Sequence, residues 1–338
     1  MILNVIWFVL IGILFMGYAM LDGFDLGVGA WHLFVRTDEE RRLLINTIGP
    51  VWDGNEVWLV TAGGALFAAF PEAYATVFSG FYLAFMLLLF ALIFRAVAIE
   101  FRSKQPMRWW RQMWDVSFSL SSVLSAFLIG VALGNLIYGV PLTSDHEFAG
   151  TFMGILHPYA LLVGLTTVAL FMMHGAIYVI LKTEGNLHDR FRNRAVNGMI
   201  FFIICYAATT MATLIYIPRM AAYMREHPVL FGFALLNMLA IANIPREVHR
   251  RRDGPAFLSS CAAVAALLAL FGIGVFPNVV VSNPNPENSL TIYNAASSPK
   301  TLSVMLLIAL LGVPLVLAYT VAIHWIFRGK VKLDSASY

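Results

Sequence analysis

The sequence predicts an all-α, polytopic membrane protein, and three observations carry that prediction. Hydrophobic residues make up 60% of the 338 and charged residues only 12%, about half the charged share of a soluble domain. The apolar residues gather into nine separate runs that supply the ~20 residues a helix needs to cross a bilayer, and several exceed that length. All but three of the 22 Lys and Arg fall in alternate connections between those runs. Nothing in the composition suggests a soluble domain or a nucleic-acid partner.

The runs cover about 3–34, 50–70, 74–99, 110–138, 153–181, 195–217, 229–246, 255–276 and 302–327. The first begins directly after Met1-Ile2-Leu3-Asn4. It lacks the basic leader of a cleaved signal peptide, so it reads as a first transmembrane helix. Connections after runs one, three, five, seven and nine hold the cations, whereas the other side holds only Arg219, Arg225 and Lys300. The positive-inside rule then puts the N-terminus outside and the C-terminus in the cytoplasm. Thr37-Asp38-Glu39-Glu40-Arg41-Arg42 has an N-cap candidate and early acids, the start of a short amphipathic helix. The longest outer connection, about 277–301, contains Asn-Pro-Asn-Pro-Glu-Asn from Asn283 to Asn288, which is turn chemistry.

One integral membrane domain over 1–338 is expected. Met20-Leu21-Asp22-Gly23 in the first run is echoed by Met172-Met173-His174-Gly175 in the fifth. Runs one and five share an orientation. Two parallel four-helix repeats, 1–140 and 150–280, with an extra peripheral helix at 302–328, are therefore allowed.

The residues that could carry chemistry are acids. Asp22 and Asp25 lie late in the first run, Asp53 and Glu56 open the second, and Asp115 stands near the start of the fourth. With the orientation above, all five converge on the cytoplasmic third of the membrane. Ionisable groups at that depth cost roughly 2.5–3.5 kcal/mol on insertion scales and normally face a bundle interior or a water path. A file of carboxyls from the inner surface inward is what proton uptake would use. A plainer reading stands beside it. Asp53 and Glu56 sit at a helix N-terminus, which the macrodipole favours for acids, and Asp115 could simply cap its helix. Asp22 and Asp25 occupy the unfavourable end, so they either pair with cations or do functional work. Arg95 and Arg102 are the candidate counter-ions, unless they are only snorkelling anchors.

Other chemistries are poorly supported. Of eight histidines, only His157 and His174 sit well inside a run, and no two in one run are three or four residues apart. A lone intramembrane His is usually hydrogen-bonded structure. No metal site and no directly bound cofactor is therefore expected. Cys205 and Cys261 lie in apolar runs and read as free thiols. Ala62-Gly63-Gly64-Ala65 suits close helix packing. The absence of a Walker motif, G-x-S-x-G and H-E-x-x-H argues against ATP-driven transport and intramembrane metalloproteolysis. On the residues alone, a proton-coupled secondary transporter and a purely structural assembly subunit remain as rivals to a proton-conducting subunit.

The motifs also resemble a family. Asp22-Gly23-Phe24-Asp25-Leu26-Gly27-Val28-Gly29, Glu40-Arg41-Arg42 and the stretch from Trp52-Asp53-Gly54-Asn55-Glu56 to Ala65 are joined by three shorter matches. These are Phe78-Ser79-Gly80-Phe81-Tyr82, Phe101-Arg102-Ser103-Lys104 and Met113-Trp114-Asp115. Together they resemble subunit II of cytochrome bd-type quinol oxidases, most specifically over residues 15–140. The resemblance implies a bacterial or archaeal respiratory complex of the cytoplasmic membrane that oxidises quinol and reduces oxygen to water. It implies a heterodimer in which haems b and d belong to the partner, subunit I, while this subunit provides a proton path from the cytoplasm. Carried over by motif, Asp53 would be central to that path, with Asp22, Asp25 and Asp115 as neighbours. Family members also carry Gln at the position of Glu56. The resemblance leaves room for a quinone or lipid held in this subunit, and for small accessory membrane subunits. The short segment between runs six and seven departs from longer members.

Overall fold

A computed structural model of the chain describes residues 1–333; residues 334–338 of the expected single domain lie outside the described ones. Helices dominate, as the apolar runs predict. In chain order they are α1 Ile2–Trp31, α2 Asp38–Ile48, α3 Trp52–Ala69, α4 Pro71–Gly80, α5 Tyr82–Phe101 and α6 Arg108–Tyr138. After a connection over 139–157 come α7 Pro158–Lys182, α8 Gly185–Tyr216, α9 Ala222–Glu226, α10 Phe231–His249, α11 Asp253–Val275 and α12 Pro299–Ile326.

Among the described residues, eight helices are long and apolar enough to cross a membrane: α1, α5, α6, α7, α8, α10, α11 and α12. The expected count was nine. The missing member is α3, whose 18 residues begin Trp-Asp-Gly-Asn-Glu. Those polar residues dilute its hydropathy, and at 1.5 Å per residue it reaches only about 27 Å. The third run also differs from expectation. It does not form one helix over 74–99 but divides into α4 and α5 at Phe81. Gly80 lies at the break, where a Cβ would come within 2.7 Å of the Phe148 ring, so the connection between α6 and α7 is seated on that turn. The expected amphipathic helix is α2. Thr37 accepts a hydrogen bond from the Glu40 N–H, and Leu44, Ile45 and Ile48 are buried against the bundle.

Helices α1 and α7 form the centre of the bundle and cross at contact distance. A Cβ on Gly27 would lie 1.9 Å from the Phe171 carbonyl oxygen, and one on Gly175 would lie 2.5 Å from the Gly27 carbonyl carbon. Only glycine at both positions lets the two backbones meet this way. The crossing brings the two echo segments together, with His174 Nε2 2.9 Å from the Met20 carbonyl oxygen. Around it, Phe24, Phe118, Phe171, Phe191 and Phe202 fill one large core.

At one end of the bundle α1 and α5 finish while α3 and α6 begin. The opposite end is closed by the connections after α6 and α11. Val140 bridges to Ser282, and strands β1 Asn278–Val280 and β2 Leu290–Thr291 pair antiparallel. Helix α12 is peripheral and buries only Leu302. It is fastened by its ends: Trp7 Nε1 donates to the Leu302 carbonyl at 3.0 Å, and Lys182 Nζ donates to the Phe327 carbonyl.

Candidate functional site

Two clusters of buried ions form at the end where α1 and α5 finish. The first lies between α1, α3 and α5. Tyr18, Asp22 and Asp25 share one face of α1 because they are spaced four and three residues apart. The indole of Trp58 occupies the space where a Cβ on Gly17 would be, 2.3 Å from its nearest ring atom, so α3 approaches that face closely. Arg95 of α5, wholly buried, donates from Nη2 to Asp22 Oδ1 at 2.6 Å and lies 3.4 Å from Glu56 Oε2. Asn55 of α3 donates from Nδ2 to Asp25 Oδ2 at 2.8 Å. The pairing is what makes burial of the charge tolerable. It is incomplete, however. Asp22 Oδ2, Asp25 Oδ1, Tyr18 Oη and Arg95 Nε and Nη1 are buried without a hydrogen-bond partner among the described residues.

The second cluster is centred on Asp115. Its Oδ1 receives Arg102 Nε and faces His32 Nε2, each at 2.5 Å, and its Oδ2 receives Arg41 Nη1 at 2.7 Å and Arg102 Nη2 at 3.3 Å. Arg102 also reaches Asp38 Oδ1 at 2.8 Å, and Arg111 binds Asp38 Oδ2 at 3.0 Å. Asp115 thus ties together the ends of α1 and α5 and the start of α2 and α6.

The five acids expected from sequence are therefore divided. Asp22, Asp25 and Glu56 share the first cluster, with Arg95 as the counter-ion. Asp115 belongs to the second, with Arg102. Asp53 joins neither; it is exposed on the outer face of α3, one turn before Glu56. Four contributing residues were not singled out as site residues. Asn55 stands inside the signature stretch and Tyr18 one turn before Asp22. Arg41 lies in α2, and His32 is at the end of α1. Spacing gave a usable signal for Tyr18, whereas His32 and Arg41 come together with Asp115 only through tertiary structure.

The intramembrane histidines are engaged in packing. His174 Nδ1 lies 2.7 Å from Ser260 Oγ, and its Nε2 faces the Met20 carbonyl. His157 caps α7 by accepting from the Ala160 N–H. Among the described residues, no group of three or more His, Cys, Asp and Glu is placed to hold a metal ion. Cys205 and Cys261 are free thiols.

The fold and these clusters define a class: a polytopic helical membrane protein whose buried charges gather at one end of the bundle. Residues 3–327 match the family model described as cytochrome bd terminal oxidase subunit II, and the chain belongs to that family. It is 36% identical over 364 residues to the cytochrome bd-I ubiquinol oxidase subunit 2 of Escherichia coli strain K12, covering 98% of this chain and 96% of that one. It is also 36% identical over 333 residues to the cytochrome bd ubiquinol oxidase subunit 2 of Bacillus subtilis strain 168, with 98% and 97% covered. The fold is similar to a chain in the structure of bd oxidase from Geobacillus thermodenitrificans, with a TM-score of 0.81 at 16% identity and 97% and 99% covered. The chain is thus an integral membrane component of a respiratory oxidoreductase complex.

Proposed function

We propose that this subunit carries protons from the cytoplasm toward the oxygen-reducing site of a quinol oxidase and supports a haem-bearing partner, subunit I. The observation that carries the reading is the incomplete pairing around Arg95. The carboxyls of Asp22 and Glu56 meet one guanidinium, Asp25 is held beside them by Asn55, and two buried carboxylate oxygens keep a free hydrogen-bonding position. A site built only to neutralise Arg95 needs one acid. Two further carboxyls at such a site suit groups that gain and lose protons.

The path would run from Asp53, on the exposed face of α3, through Glu56 to Asp22 and Asp25. Asp115, with both oxygens occupied, fits an anchor beside the path. The gathering of Lys and Arg at one end supports an outside N-terminus and a cytoplasmic C-terminus, in a bacterial or archaeal cytoplasmic membrane. On that topology α3 is the ninth span. The meeting of the echo segments at the α1–α7 crossing supports two four-helix repeats, with α12 as the added helix. Haems b and d are assigned to the partner on the strength of the family, and His174, with both ring nitrogens engaged, fits a packing role. Quinol and oxygen are substrates of the complex as a whole; an added quinone, lipid or accessory subunit remains part of the proposal.

Asp22→Asn in the intact oxidase tests the reading. Oxygen consumption should fall about 100-fold, the scale of losing a positioned proton-transfer group, with haem content and subunit ratio unchanged. Unaltered turnover would remove the proton path and leave the structural reading, which the Asp115 cluster favours.

A further inference from the structure

Among the charged side chains outside the two acid clusters, one group converges on a single carboxylate. Helix α10 is long and apolar enough to cross the membrane, so its C-terminus lies at a bilayer surface. It ends in Arg246-Glu247-Val248-His249, and Arg250-Arg251-Arg252 follow. Glu247 is buried. Arg246 Nε and Arg250 Nη1 each lie 3.9 Å from its Oε1, and Arg252 Nη1 lies 4.0 Å from its Oε2. Arg252 turns back because Arg251 takes a left-handed backbone, φ +55°, and the Arg252 N–H donates to the Glu247 carbonyl at 3.0 Å. A helix C-terminus favours cations, which accounts for their presence but not for this convergence. At such distances the pairs attract without hydrogen-bonding. The three side chains are 59, 46 and 63% exposed. Apart from a bond from Arg246 Nη1 to Asn243 Oδ1 at 3.2 Å, their N–H groups stay open to an acceptor from outside, among the described residues.

We infer that Arg246, Arg250 and Arg252 hold the phosphate of an anionic phospholipid whose acyl chains lie along α10. Leu235, Leu239, Ala242 and Arg246 follow one another at four, three and four residues and so share one helical face. Leu235 and Leu239 are each 59% exposed, and α10 packs chiefly on α11, so that face is open to lipid. From Leu235 to Arg246 the helix rises about 17 Å, against about 15 Å for half of a hydrocarbon core. A lipid on this face sets its chains against leucine and its phosphate against the arginines. Charge selects the lipid. Arg246, Arg250, Arg251 and Arg252 against Glu247 leave a positive excess, and the next acid, Asp253, is taken by Arg192 at 2.8 Å. A zwitterionic headgroup brings its own cation to such a site. An anionic phosphodiester brings oxygens that guanidinium N–H groups bind in pairs. The site shares no residue with the proton path, and failure of that path leaves it untouched.

The experiment follows the thermal midpoint of the complete oxidase in detergent micelles, read as loss of haem absorbance. Phosphatidylglycerol, phosphatidylcholine and inorganic phosphate are titrated separately at matched ionic strength. Phosphatidylglycerol should raise the midpoint, and the other two should leave it unchanged. Each arginine near a membrane anion is worth about fivefold in affinity. The combined variant Arg246→Gln, Arg250→Gln, Arg252→Gln should therefore need about 100-fold more phosphatidylglycerol for the same rise. Should that variant fail to assemble, Arg250→Gln alone decides, with an expected weakening of about fivefold. A phosphatidylglycerol titration unchanged by these substitutions would place the lipid elsewhere and overturn the inference. An equal rise with phosphatidylcholine would show ordinary lipid solvation and overturn it too. A rise with inorganic phosphate would reveal a free-anion site and overturn the assignment to lipid.

Discussion

Asp115 and the Asp22–Asp25 pair are buried carboxylates at the same end of one bundle, yet their surroundings are opposite. Each oxygen of Asp115 is held by side chains from other elements: Arg102 from the turn after α5, Arg41 from α2 and His32 from the turn after α1. Asp22 and Asp25 have one hydrogen-bonded oxygen each and leave the other unpartnered. A saturated carboxylate fixes the geometry around it, because moving it breaks several charge-assisted bonds at once. An unsaturated one keeps a position at which a proton or a water can arrive and leave. The difference shows that burial and charge alone do not mark a working acid. The number of free hydrogen-bonding positions separates anchor from relay.

The comparison breaks most severely at Arg102. Arg102→Ala removes three bonds and leaves Asp115 and Asp38 with a lost partner in a buried setting. Breaking a buried ion pair from one side costs about 3–5 kcal/mol. The expected outcome is failure to recover an assembled complex, read as loss of haem absorbance and of subunit stoichiometry in purified membranes. A complex that assembles normally and is merely slow would put Asp115 in the same functional class as Asp22.

Asp53→Asn sharpens the other side. Asp53 is exposed on α3 and lies outside both buried clusters. Its replacement should leave assembly intact and slow turnover by about tenfold, less than Asp22→Asn, because water can substitute for a side chain at the exposed mouth of a path. Turnover measured with haem content as the denominator decides this. An effect equal to that of Asp22→Asn would mean that the partner subunit covers Asp53 and makes it a buried member of the route.

Much of this arrangement was legible in the sequence, for identifiable reasons. Hydropathy located the long helices, because an apolar run in a bilayer has little choice but to close its hydrogen bonds as a helix. It counted α3 as a full span although Asp53, Asn55 and Glu56 in its first two turns lower its hydropathy, and it ran through the break at Phe81. At that break Phe148 packs on Gly80, a contact between residues far apart in the chain. The pairing of Arg95 with Asp22 was anticipated as one of two choices of counter-ion. The separation of Asp115 from the other acids was not. Depth in the membrane can be read from position in a run, but the face of a helix that meets Arg41 or His32 is set by how helices rotate against each other. The glycines at 27 and 175 set that rotation for α1 and α7, and neither motif reveals the partner it touches.

The smallest expected effect lies at the rim of the anchor. Arg111 binds Asp38 Oδ2 at 3.0 Å, but its side chain is 35% exposed and that of Asp38 46%. Exposed pairs of this kind are worth about 0.2–1 kcal/mol and weaken as salt screens them. Arg111→Gln should therefore leave the complex assembled and active. Its thermal unfolding midpoint should drop slightly, and the drop should shrink as ionic strength is raised. Arg102 is buried, so its contribution should persist at high salt. If Arg111→Gln instead disrupted assembly as severely as Arg102→Ala, the two arginines would form one cooperative unit through Asp38, and the anchor would extend from buried Asp115 to the surface. A small, salt-sensitive effect confines it to the side chains that touch Asp115 directly.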